Sequence, residues 1–180
     1  LSLVGSEMCI RDRDITRDIC GAKADGARLL LQIAKKSAGL FKAPKSAALP
    51  FGCFEKVMQS QPQKADEYFR AVDELAGVAG GGLEKCLRRL RSIISSLEFP
   101  ADLLQEIITL FGEDTLLAVR SSSSAEDLED MAGAGLYDSI IGVQANEAAL
   151  AILSVWASLW TRRAVLSRMQ YNIPHGKVCM

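Results

Sequence analysis

From Asp25 to Gly112 apolar side chains recur at intervals of three and four, the spacing that gathers them on one face of a helix. Asp25 stands where a capping carboxylate opens a helix; Leu29, Leu30 and Ile33 follow on one face, and Gly39 ends the pattern. After Pro44, the run Ala47 to Phe51 reads as a strand or extended link. Phe54, Val57 and Met58 then predict a short helix beginning near Gly52. A helix from Pro62 to about Val78 carries Tyr68, Phe69, Val72 and Leu75, and Gly80-Gly81-Gly82 breaks it. Leu87, Leu90, Ile94 and Leu97 mark one side of a basic helix from Leu83 to Leu97, with Arg88, Arg89 and Arg91 as a solvated face. Pro100 occupies a first helical position, and Leu103, Leu104, Ile107, Ile108 and Phe111 continue the period.

The pattern changes at Thr115. Leu116 to Val119 is a short apolar run that leads straight into Arg120 and four serines, which predicts a strand followed by a polar loop. An acidic stretch, Glu126 to Asp130, runs into Met131-Ala132-Gly133-Ala134-Gly135; Leu136 to Val143 reads as a second strand, and a long helix is predicted from about Asn146 to Met169. Helices dominate and strands are few, so the class is α/β (α+β), a helix-rich chain with a small sheet.

Composition narrows the partners. Of 180 residues 49% are hydrophobic and 24% charged, the profile of a soluble globular protein with a core. A formal net charge of -1 supplies no field toward nucleic acid or an anionic membrane. The apolar run Ala148 to Trp160 is too short for a membrane span and meets Arg162 and Arg163. Five cysteines form no CxxC pair and His175 is the sole histidine, which argues against a zinc site and a disulfide framework and for buried thiols in a reducing compartment. The opening Leu1 to Arg13, LSLVGSEMCIRDR, reads as adapter read-through and is left out of the fold expectation. Residues 14–180 are then expected to be an incomplete N-terminal part of a larger domain.

Three features could carry chemistry. Lys23 follows a glycine and precedes a helix, whose N-terminal N–H groups and dipole attract anions; the alternative is a surface lysine in a turn. Arg120 ends a strand and is followed by Ser121 and Ser122, a planar fork with hydroxyls and amides beside it that suits phosphate; the alternative is a flexible serine turn. Gly133 and Gly135 would let a neighbouring loop approach a polyphosphate. The third is Arg163. At 100° per residue it falls within roughly 20° of Trp156, on the apolar stripe of Ile152, Leu153, Leu159 and Trp160, where it needs a carboxylate or phosphate partner. His175 reads as an exposed surface histidine, and the acidic stretch, which fits no calcium loop, as a solvated loop.

The segment LAVRSSSSAEDLEDMAGAGLYDSIIGV, Leu117 to Val143, resembles the nucleotide-binding domain of the pyruvate, phosphate dikinase and phosphoenolpyruvate synthase superfamily. GAK at Gly21 to Lys23 and ALPFGCFEKV at Ala48 to Val57 are similar to its glucan, water dikinase branch, and VWASLWTRRAVLSR at Val155 to Arg168 to the phosphoglucan, water dikinases. The resemblance implies a partial ATP-grasp-type domain in which Lys23 contacts phosphate, Arg120 holds the transferred phosphates, Ser121 and Ser122 assist, and Gly133 to Gly135 cover them. It also implies ATP and Mg2+ as cofactors, with the magnesium ligands expected beyond Met180. The substrate would be glucan or starch, and the location a plastid (chloroplast) or otherwise the cytoplasm. In that family the β-phosphate of ATP reaches the glucan through a phosphohistidine. No segment here matches that histidine, and the starch-binding module is not present, so the 180-residue chain is expected to be inactive by itself. The alternatives are a phosphoenolpyruvate synthase or pyruvate, phosphate dikinase, and a non-catalytic helical interaction domain.

Overall fold

The computed structural model describes residues 10–11, 15–75, 77, 81–124 and 135–180. Its elements are β1 (Ile10–Arg11), α1 (Arg17–Lys36), β2 (Ala47–Ala48), α2 (Cys53–Gln59), α3 (Pro62–Leu75), α4 (Gly81–Ser95), α5 (Ala101–Phe111), β3 (Leu116–Arg120), β4 (Ser139–Gln144), α6 (Ala148–Ala157) and α7 (Arg162–Gln170). Helices predominate, and each described sheet is a single antiparallel pair, β1 with β2 and β3 with β4. The expected helix-rich α+β class is therefore what the chain adopts. The acidic stretch and Gly133 lie outside the described residues.

The core forms around α4, which packs between α3 and α6. Its stripe of Leu87, Leu90 and Ile94 is fully buried, as the helical period requires. An aromatic cluster joins the helices to one another. Phe54 meets Tyr68 edge-on at 5.7 Å and Trp156 at 5.5 Å, and Tyr68 meets Trp160 at 5.9 Å. Such edge contacts contribute about 0.5–1.5 kcal/mol each beyond their burial. The side chain of α6 is apolar on nearly every face because it is enclosed on nearly every face. Cys20, Cys53 and Cys86 are buried thiols, and Cys179 is half-buried.

In β4 one glycine sets which residues point inward. Leu117 is opposite Val143, but Ala118 is opposite Ile141, so Gly142 is an extra residue in a bulge with φ 74°. The extra residue resets the alternation. Val143 and Ile140 both face the core beneath Leu117 and Val119, while Ile141 is turned out, 80% exposed.

Three expectations need correction. The helix assigned to begin at Asp25 begins at Arg17, and Asp25 caps nothing; it accepts from Arg28 Nε at 2.9 Å within the helix. Its face of Leu29, Leu30 and Ile33 is 43%, 56% and 54% exposed, because no described element packs over it. Ile10–Arg11, inside the opening stretch left out of the fold expectation, pairs with β2. A two-residue backbone pairing has no side-chain period by which it could be read.

The third is the long helix from Asn146 to Met169, which is broken. Ser158–Trp160 tightens into a 3-10 turn, Thr161 turns extended (φ −70°, ψ 149°), and α7 leaves at 43° to the preceding limb. The Thr161 hydroxyl accepts from the Ala164 amide and starts the new helix. Carbonyls released by the break are taken by arginines, Arg91 Nη1 donating to Trp160 O and Arg168 Nη2 to Leu159 O, both at 2.7 Å. Among the described residues no single helix is long and apolar enough to cross a membrane.

Candidate functional site

The kink in α1 creates the site. Gly21 has φ 81° and ψ 165°, which interrupts the helix and starts a second segment at Ala22, whose first turn faces the loop after β3. A Cβ on Gly21 would lie 2.5 Å from Ser122 Oγ, so the absent side chain is what lets the serine loop approach. Ser122 Oγ accepts from the Ala24 amide at 3.3 Å, in the manner of a cap on a helix start. Beside it, Lys23 Nζ donates to Ser121 Oγ at 3.4 Å. Two short segments 98 residues apart are thus joined by adjacent contacts.

These contacts sit on the wall of a cleft of about 650 Å³. Lys23, Arg120, Ser121 and Ser122 all line it, along with Lys45 and Met180. Strand β3 delivers Arg120 to an exposed position, while the next residue, Ser121, is buried. Arg120 makes no ion pair among the described residues, whereas Arg28, Arg89, Arg91 and Arg163 each pair with a carboxylate. A lysine and an arginine stand on one wall, next to a helix start whose dipole presents its positive end, the kind of arrangement that attracts a multiply charged anion. The floor is apolar, with Ile107, Phe111 and Trp156, which suits a flat ring better than a second charge.

Lys45 was not anticipated. It lines the same cleft, donates to the Leu110 carbonyl and lies 5.8 Å from the centre of the Phe111 ring. Its signal was slight: one lysine in the irregular link between Pro44 and the strand, with nothing in the spacing to show which way it would turn.

Gly135 is described, exposed and left-handed at φ 77°, a conformation for which glycine is suited. Its companion Gly133 lies outside the described residues. Arg163 is not at the centre of an apolar stripe. The break at Thr161 turns it outward, where its side chain is 52% exposed, pairs with Asp138 and donates from Nε to the Leu136 carbonyl at 2.9 Å. It therefore has the carboxylate partner it needs, does not line the cleft, and fastens the residue that follows Gly135.

The buried arginine of this helix is Arg168, 1% exposed. Its guanidinium stacks over Trp160 at 5.2 Å and donates from Nε to His175 Nδ1 at 3.0 Å. His175 is accordingly not a surface histidine. Burial, then the adjacent guanidinium, hold its pKa below the ordinary 6.5. Burial also lowers Arg168, an effect opposed by the nearby Tyr137 hydroxyl, and pushes Tyr68 up to about 12. Among the described residues no three His, Cys, Asp or Glu side chains converge.

Residues 17–180 match the family model described as pyruvate phosphate dikinase, AMP/ATP-binding domain. The chain is 39% identical over 95 residues to rifampicin phosphotransferase of Bacillus subtilis, an alignment of 51% of this chain and 11% of that protein. It is 32% identical over 105 residues to phosphoenolpyruvate synthase of Pyrococcus furiosus, covering 53% of this chain and 13% of the relative. With alpha-glucan water dikinase 2 of Arabidopsis thaliana it is 26% identical over 180 residues, covering 98% of this chain and 12% of the relative. The chain therefore spans between 11% and 13% of the length of these three relatives.

Proposed function

The chain belongs to the pyruvate phosphate dikinase AMP/ATP-binding domain family, and from that membership we propose that its cleft holds the polyphosphate of ATP for a phosphotransferase. Lys23 and Arg120 neutralise the phosphate oxygens. Ser121, Ser122 and the start of the second α1 segment present hydroxyl and amide donors. The carrying observation is the pair of contacts from Lys23 to Ser121 and from Ala24 to Ser122, which brings the lysine and the strand-end arginine to one wall. Phosphoryl transfer draws its catalysis mainly from positioning and charge neutralisation, so fixed cations of this kind supply what the reaction needs. Mg2+, when bound, would neutralise charge on the phosphates; the reading leaves its ligands to residues outside the described set. Arg163 acts in this reading by holding Leu136 and not by touching the nucleotide.

The proposed acceptor is a glucan or phosphoglucan, with β-phosphate transfer through a phosphohistidine elsewhere in the protein and, for that substrate, a plastid location. Its support is the alignment with alpha-glucan water dikinase 2 over 98% of this chain. A second reading, with pyruvate as acceptor, draws equal support from the higher identity to phosphoenolpyruvate synthase over 53% of the chain. Neither reading calls on nucleic acid or membrane. Acceptor-dependent formation of AMP from ATP separates them. The full-length protein should release AMP with soluble starch or phosphorylated starch and not with pyruvate; the reverse pattern would move it to the second reading. Titration calorimetry with ATP tests the shared premise, because no heat of binding in the presence of Mg2+ would remove both.

A further inference from the structure

The cleft is tied to a buried cluster on the far side of α6 by an unbroken series of contacts. Arg168, held over Trp160 and on the Leu159 carbonyl, donates to His175 Nδ1. For Nδ1 to accept, the ring must be neutral, with its proton on Nε2. His175 opens a 3-10 turn, His175–Lys177, and the backbone on either side of it is anchored: Ile173 N donates to Arg168 O at 2.8 Å and Lys177 N to Pro174 O at 3.0 Å. The chain leaves this turn with Val178 and Met180 buried, and between them Cys179 pairs with the serine loop in both directions. Ser124 N donates to Cys179 O at 3.1 Å, and Cys179 N donates to Ser124 Oγ at 3.0 Å. Met180 itself lines the cleft.

We propose that His175 is a positioning residue for the nucleotide cleft: as the neutral acceptor of Arg168 it holds Val178–Met180, and through Cys179 and Ser124 it fixes the loop that carries Ser121 and Ser122 beside Arg120. The inference rests on the ATP-binding reading of that cleft. It predicts a coupling between a side chain outside the cleft and the affinity inside it. Protonating His175 removes the acceptor and sets a second cation against the guanidinium. The groups that face His175 across a small cavity of about 120 Å³ are Glu55 from α2, Tyr68 from α3 and Arg168 from α7. Among them only the Glu55 carboxylate would favour the charged ring. Burial and Arg168 oppose it, so the acceptor is lost only below the ordinary imidazole value of 6.5.

The test compares ATP affinity of the full chain with those of His175→Asn and His175→Leu, by titration calorimetry at pH 7.5 and pH 5.5. Asparagine places a non-titrating acceptor near the position of Nδ1; leucine removes it. At pH 7.5 the asparagine variant should bind within about threefold of the parent and the leucine variant roughly tenfold more weakly, within the usual range of coupling between sites. Acidification should weaken binding by the parent more than binding by His175→Asn, which shares any titration of the nucleotide itself. In the same samples, exchange protection of the Ser124 and Cys179 amides should fall in His175→Leu and persist in His175→Asn. Should the leucine variant not fold, the pH profile of His175→Asn decides alone. Parallel pH profiles for parent and His175→Asn would overturn the positioning role. A parent chain that binds no ATP at either pH would overturn the nucleotide reading and the inference with it.

Discussion

Gly21 and Ser122 approach so closely that a Cβ on the glycine would stand 2.5 Å from the serine hydroxyl oxygen. The contact is doubly restrictive, because Gly21 also has φ 81°, a backbone region that side chains other than glycine's adopt at a cost of about 1–3 kcal/mol. Gly21→Ala should therefore lower stability by roughly that amount and weaken ATP binding, as the serine loop is pushed off the helix start. Adding Ser122→Ala removes the closest atom but leaves the φ strain and the Phe51 ring at 3.3 Å. Chemical denaturation of the single and double variants should accordingly show partial recovery; complete recovery would place the whole cost in the hydroxyl clash.

Lys23 and Arg120 should each matter to ATP affinity and little to folding. Both are exposed and line the cleft, so truncation leaves no buried charge behind. A charge-assisted hydrogen bond contributes about 1.5–3 kcal/mol, so Lys23→Ala or Arg120→Ala should weaken ATP binding by at least about tenfold with a melting temperature close to the parent's. Arg120→Lys keeps the charge and loses the planar fork, and should fall between the parent and Arg120→Ala. Affinities equal to the parent's for both alanine variants would remove the phosphate from this wall.

How far the site could be read from the sequence follows from what period and punctuation encode. The strand that delivers Arg120 and the serine turn after it were legible, because an apolar run ending in charge and hydroxyls is a local signal. Lys23 was placed at a helix start for the same reason, although the helix start proved to be a kink at Gly21. That the two would meet was not legible in local pattern, since nothing within either segment encodes a contact 98 residues away; it came only from the family resemblance. The break at Thr161 was hidden because both limbs bury apolar side chains, so the periodic pattern runs through it. Misreading that break moved the buried arginine from Arg168 to Arg163 and left His175 on the surface.

Stability should fall as pH drops below about 6.5. The folded pKa of His175 lies under the ordinary 6.5, so the unfolded chain binds its proton first and the native state loses ground through the interval between the two values. The contribution is complete above 6.5 and declines as the solution is acidified toward the folded pKa. Urea midpoints for the parent and His175→Asn, measured from pH 7.5 to pH 5, should diverge with the parent the more acid-sensitive. Curves of the same slope would mean that the ring titrates alike in both states.

Arg168 and Arg163 should differ sharply when each is changed to alanine, in the opposite sense to the one that an unbroken helix predicts. Arg163 is half-exposed, and its pairing with Asp138 is open to water and salt, so Arg163→Ala should cost no more than about 1 kcal/mol. Arg168 is 1% exposed and satisfies two buried acceptors, the Leu159 carbonyl freed by the helix break and His175 Nδ1. Removing it leaves both without their donor and opens space beside Trp160, for a combined loss of about 2–4 kcal/mol. Urea denaturation of the two variants measures the contrast directly. Arg162→Ala, on the exposed first position of α7, serves as the reference for a surface arginine. A larger loss for Arg163→Ala than for Arg168→Ala would mean that the helix runs on through Thr161 in solution.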